Sequence, residues 1–111
     1  MSSKFEQHKT EFILRKRDLE LQIVKDVRKI YFLLKSLLNQ LKPAESRYKQ
    51  SVTQLGNKEQ QYQIGLAPLF EYDQAKLNTR NNEFSLASLK ISIRNNYQRL
   101  LFLCGYPIIN K

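Results

Sequence analysis

Glycine and proline, the residues that punctuate a chain, are scarce: three of each in 111 residues. That leaves no stock for the many tight turns of a sandwich or a barrel. Tryptophan is absent, and cysteine occurs once, at Cys104, which excludes an intrachain disulfide. Cys104 falls on an apolar run just before Gly105, so a buried structural thiol is expected there and not a nucleophile. Histidine also occurs once. His8 lies among Lys, Gln and Glu near the start, expected exposed, with no second ligand at metal-binding spacing. No stretch approaches the ~18 apolar residues of a membrane-spanning helix. The opening Met1-Ser2-Ser3-Lys4-Phe5-Glu6 has neither an apolar core nor a cleavage pattern, so a secretory signal is not expected in the sequence as written. Catalytic constellations are missing as well: Glu71 and Asp73, two apart, fall on different faces of a helix, and no base, nucleophile or oxyanion donor accompanies them. The expectation is a protein with no enzymatic activity, no cofactor and no metal.

Positive charge is plentiful, with Lys plus Arg at 19 against 10 acids, a net +9. The excess is spread: residues 1–62 hold 13 basic and 7 acidic side chains, and 63–111 hold 6 and 3. The densest run, Arg15-Lys16-Arg17, is followed at once by Asp18 and Glu20. A solvated charged surface is the simpler reading, and a nucleic-acid site is not expected.

What remains is helical pattern, broken once. Tyr62-Gln63-Ile64-Gly65-Leu66-Ala67-Pro68-Leu69-Phe70 carries the strongest interior breaker, because Gly65 can take the positive φ that ends a helix and Pro68 suits the first turn of the next. Before it, Val24, Val27, Tyr31, Leu34, Leu38, Leu41, Tyr48, Val52, Leu55 and Tyr62 fill ten of twelve a and d positions, Glu45 and Glu59 being the others. Steps of three and four sustained this far mark a coiled-coil seam. Pro43 and Gly56 interrupt the pattern, and Pro43 is expected to kink this helix or to split it at Lys42-Pro43.

After the turn, Phe70, Leu77, Phe84 and Ile91 recur at heptad spacing, and so do Leu86, Ile93 and Leu100. The two rows are offset by two residues, about 200° around a helix. A hairpin on its own needs one row, so this helix is expected to touch neighbours on both sides. Leu89-Lys90-Ile91-Ser92-Ile93-Arg94 alternates as a strand would, but Leu86-Ala87 breaks the parity and the helical reading stands. Gly105-Tyr106-Pro107 is a helix stop.

The expected fold is therefore all-α: one long antiparallel two-helix coiled-coil hairpin over 1–111, with no β-barrel strands. Its parts are a helix over about 3–63, a turn at 64–67, a helix over about 68–104 and a tail at 105–111. With Gly65 at the tip, residue i faces roughly 130 − i, so Cys104 lies opposite Asp26. Residues 1–25, with Phe5, Phe12, Ile13, Leu14, Leu19, Leu21 and Ile23, then have no partner in the chain.

The turn and second helix resemble the TolC-like outer-membrane efflux factors, the trimeric exit ducts of multidrug pumps and type I secretion systems. The resemblance rests on Tyr62-x-x-Gly65, Leu69-Phe70-Glu71, Ala75 ten residues after Gly65, and Tyr97-x-x-Leu100-Leu101-Phe102-Leu103-Cys104-Gly105, with Gly105 thirty residues after Ala75. Arg17-Asp18-Leu19-Glu20-Leu21, Ile23-Val24 and Val27-Arg28-x-x-Tyr31 look like the helix that leaves the family's barrel. The resemblance covers nearly the whole chain, as one repeat of a family member. It implies one stave of an oligomeric periplasmic α-barrel at the outer membrane, with further copies or the remaining part of the channel as neighbours. It also implies a tip that meets a periplasmic adaptor protein through Gly65 and Leu66, with Tyr62 and Ala67 beside them. The chain departs from the family in having no barrel strands and no second repeat, in Pro68 where a capping hydroxyl is common, and in Pro43 within a long helix. It is thus expected to be a fragment or truncated member that meets the membrane only through a missing barrel. The alternative is a stand-alone coiled-coil interaction protein without transport function, and a binder of nucleic acid or anionic lipid comes third.

Overall fold

The computed structural model describes residues 2–105. Two helices account for almost all of them: α1, Ser2–Gln63, and α2, Leu69–Leu103. They pack against each other as an antiparallel hairpin, and no strand occurs among the described residues. At a rise of ~1.5 Å per residue a helix of 62 residues is ~93 Å long, which matches the 94 Å long axis of the molecule. The second helix, at 35 residues, covers only the tip-ward part of the first. The strand-like alternation of 89–94 lies inside α2.

The contact between the helices is a heptad seam. On α1 a heptad set is shielded, Val27, Ile30, Leu34, Leu37, Leu41, Ala44, Tyr48, Ser51, Leu55 and Lys58, with Asp26 and Glu45 part-shielded at its borders. On α2 the matching set is Tyr72, Ala75, Thr79, Asn82, Leu86, Leu89, Ile93, Asn96, Leu100 and Leu103, with Lys76, Ser92, Gln98 and Leu101 part-shielded outside it. Both run in strict steps of three and four, as a seam of 3.5-residue period requires. Thr79 Oγ1 lies 3.1 Å from the Ser51 carbonyl oxygen and 2.9 Å from the Ala75 carbonyl, so its hydroxyl ties the two helices at the pairing 130 − i. Ser51 Oγ in turn donates to the Tyr48 carbonyl at 2.7 Å.

One of the two expected seam rows on α1 is replaced. The row at 27, 34, 41, 48 and 55 is in the seam, though its last member, Tyr62, is exposed; Val24, Tyr31, Leu38 and Val52 are exposed too, and Ile30, Leu37, Ala44, Ser51 and Lys58 take their place. The reason is closeness of approach. Ala44, Ser51 and Ala75 let the backbones come near enough for a Thr hydroxyl to reach a carbonyl of the other helix, which Leu38 and Val52 would prevent.

Pro43 does not split α1, which runs unbroken through it. The ring removes the N–H that would bond to the Asn39 carbonyl, but Asn39 and Pro43 are both exposed, so water can serve that carbonyl. Cys104 also differs from expectation. It caps α2 and is exposed, because the last seam position is Leu103 and the cap residue turns off the seam face. Gly105 follows at φ +88, the left-handed conformation expected of the stop.

Candidate functional site

The tip is built by backbone hydrogen bonds. Gly65 N–H donates to the Tyr62 carbonyl at 3.1 Å, and Leu66 N–H donates to the Gln61 carbonyl at 2.7 Å. This pair of bonds around a glycine at φ +80 is a Schellman ending. A leucine in the place of Leu66 usually folds back on the helix it follows, but here it is 74% exposed. Ala67 N–H shares the Gln61 carbonyl, and its side chain is buried under the turn. Pro68 lies one place earlier than a first-turn proline, as the N-cap of α2, and its carbonyl accepts from Glu71 and Tyr72. With no side-chain cap present, the carboxylate of Glu71 in the first turn complements the positive helix end.

The four tip residues therefore meet in one turn with unequal roles. Gly65 shapes it, Ala67 fills it, Leu66 projects from it, and Tyr62 braces the flank, its ring 5.4 Å from that of Tyr72. Lys76 Nζ sits 4.0 Å above the Tyr72 ring, and Lys58 reaches Glu71 at 3.5 Å across the helices. Ile64, Leu69 and Phe70 are exposed beside Leu66, so the tip surface is more apolar than Gly65 and its neighbours alone imply. The apolar residues themselves were visible in the sequence, but their exposure was not, because a residue after a glycine ending usually packs back on its helix.

Behind the tip the hairpin has a seam edge, a back edge and two broad faces. Phe70, Leu77, Phe84 and Ile91 form the back edge of α2, half a turn from the seam, and all four are more than half exposed. The overhang of α1 is open all round, with Phe5, Phe12, Ile13, Leu14, Leu19 and Leu21 exposed. Where α2 ends, an open cleft of about 850 Å³ lies between the helices, lined by Asp26, Lys29 and Leu33 of α1 and Asn95, Arg99 and Phe102 of α2. It places these two sets of residues on the same broad face.

Chemistry of the reactive kind is sparse. Glu71 is paired with Lys58, and Asp73 approaches Lys76 at 4.0 Å. Among the described residues no three His, Cys, Asp or Glu side chains gather as a metal-ligand group, and no helix is long and apolar enough to cross a membrane. The distinctive surfaces are for packing: an apolar tip, an apolar back edge and an apolar overhang. No family model, curated protein or solved structure matches the chain.

Proposed function

We propose that the chain is a stave of a larger helical assembly of the TolC-like kind, part of a periplasmic duct for efflux or type I secretion that docks an adaptor at its tip. One observation carries this reading: the back edge of α2, Phe70, Leu77, Phe84 and Ile91, is a straight heptad row opposite the seam and open to solvent. Covering such a row takes another helix laid alongside, and a helix with neighbours on opposite edges is the building unit of a wall, not of a closed pair. The exposed Ile64, Leu66 and Leu69 at the tip give the docking half of the reading its surface.

Sedimentation analysis of the purified chain tests the wall. A defined oligomer is expected, and Leu77→Lys with Phe84→Lys should dissociate it while the circular dichroism of the hairpin persists, because neither side chain touches the seam. A wild-type chain that stays monomeric at all accessible concentrations overturns self-assembly through this edge. Leu66→Asp serves the tip: it should abolish co-purification with a periplasmic adaptor without changing the oligomer. The alternative, a coiled-coil interaction protein without transport function, predicts the same oligomer but indifference of every adaptor contact to Leu66.

A further inference from the structure

The two broad faces of the hairpin differ in kind. On the face that carries the cleft, the rows midway along are neutral and polar, with Ser36, Gln40, Gln50 and Gln54 on α1 and Asn78, Asn81, Ser85 and Ser88 on α2, apart from Arg47. The opposite face follows from the helix period, since the cleft fixes which rows share a side. It holds the row displaced from the seam, Val24, Tyr31 and Leu38, together with Tyr97 of α2, all about half exposed. Outside that row run Arg28, Lys35, Lys42 and Lys49, one cation per heptad, and Lys90 and Arg94 border Tyr97 on the α2 side. Between 24–42 of α1 and 87–101 of α2 this face has no carboxylate; Glu45, Glu59, Asp73 and Glu83 all lie nearer the tip. The ion pairs among the described residues are Lys58–Glu71 and Lys76–Asp73, and none of these cations takes part in one.

An apolar row flanked by charge at the same seven-residue period is what one helix offers another: the row supplies the knobs and the flanks choose the partner. We infer that this groove is a docking site for a third helix, an amphipathic one with acidic residues on both flanks of its apolar stripe, lying along Tyr31, Leu38 and Tyr97. The straight heptad line of the cations selects a helix over a flat anionic surface, because a flat surface needs charge on the face but no fixed repeat. A second copy's overhang is a poorer occupant: Glu11, Asp18 and Glu20 flank its Phe5, Phe12 and Leu19 row, but Lys9, Arg15 and Lys16 lie between those acids and the row and would face the groove's own cations. The site is distinct from the back edge and the tip, and it does not depend on the duct reading.

The test uses the full chain and a synthetic helical peptide about three heptads long, with leucine at a and d and glutamate at e and g, followed by fluorescence anisotropy. Binding is expected, with affinity falling as salt rises. Lys35→Glu with Lys42→Glu should weaken it roughly tenfold or more, and a peptide carrying lysine at e and g should recover binding to that variant. Leu38→Ser should weaken both pairs without altering helix content. Equal binding of a scrambled peptide of the same composition, or failure of the charge-reversed peptide to rescue, overturns the proposal. Binding to phosphatidylglycerol vesicles without binding to the peptide also overturns it, in favour of an anionic surface.

Discussion

Two glycines with equally open space around them have opposite meanings, and the backbone decides which. Gly65 stands at φ +80, where a Cβ is strained whatever space is available, so Gly65→Ala should destabilise the hairpin by about 1–2 kcal/mol. Gly56 lies inside α1 without a positive φ, and a Cβ added there meets nothing within 4 Å. Gly56→Ala should therefore stabilise by about 0.5–1 kcal/mol through the lost freedom of the unfolded chain. Thermal melts followed by circular dichroism check both, and shifts of the same sign would contradict the backbone argument. The glycine ending at 65 was legible in the sequence because the Gly65 and Pro68 pair has few other uses. Cys104 was not legible. Apolar neighbours suggested burial, but one residue past the last seam position decides exposure, and helix ends are read only to within a residue or two.

At the scale of the elements, most of the seam's large side chains are only half-buried. Among the described residues Ile30, Leu34 and Ala44 are its buried apolar members, Ala67 being buried under the turn, while Ser51 and Thr79 are buried and polar. A polar layer of this kind fixes register more than it stabilises. Thr79→Val keeps the shape and removes the hydroxyl that reaches the Ser51 carbonyl at 3.1 Å, so a loss of about 1 kcal/mol is expected. Urea unfolding measures it; an unchanged midpoint would mean that the bond adds nothing. The same layer explains why the sequence pattern misplaced one seam row. Val24, Tyr31, Leu38 and Val52 make the better hydrophobic line, and hydropathy alone prefers it. The helices instead meet along Ala44 and Ser51, whose virtue is small size, which a hydropathy pattern scores as weakness. The rejected row then becomes surface, and its cationic border gives that surface a direction of choice. The outer row of α2 raised no such conflict, because Phe70, Leu77, Phe84 and Ile91 are half a turn from the seam whichever row α1 contributes.

The whole molecule is a rod 94 Å long and only 27 Å by 18 Å across, of which the overhang of α1 is single-helix thick. Residues 3–22 are helical with every side chain exposed and without tertiary cover. As an extension of α1 this segment needs no nucleus of its own, but helical stability in proteins comes mostly from packing an apolar face, and here none is packed. The hairpin, by contrast, joins the helices across about five heptads. Amide hydrogen exchange at concentrations where the chain is monomeric should therefore show weak protection over 3–22 and strong protection over 30–55. The Thr79–Ser51 tie falls in the protected block. Raising the concentration, or adding any partner able to cover Phe5, Phe12 and Leu19, should protect the overhang, with far less change in the block already held by α2. Strong protection of 3–22 in the monomer would mean that the overhang is stable by itself, and its exposed apolar side chains would then no longer argue for a missing neighbour.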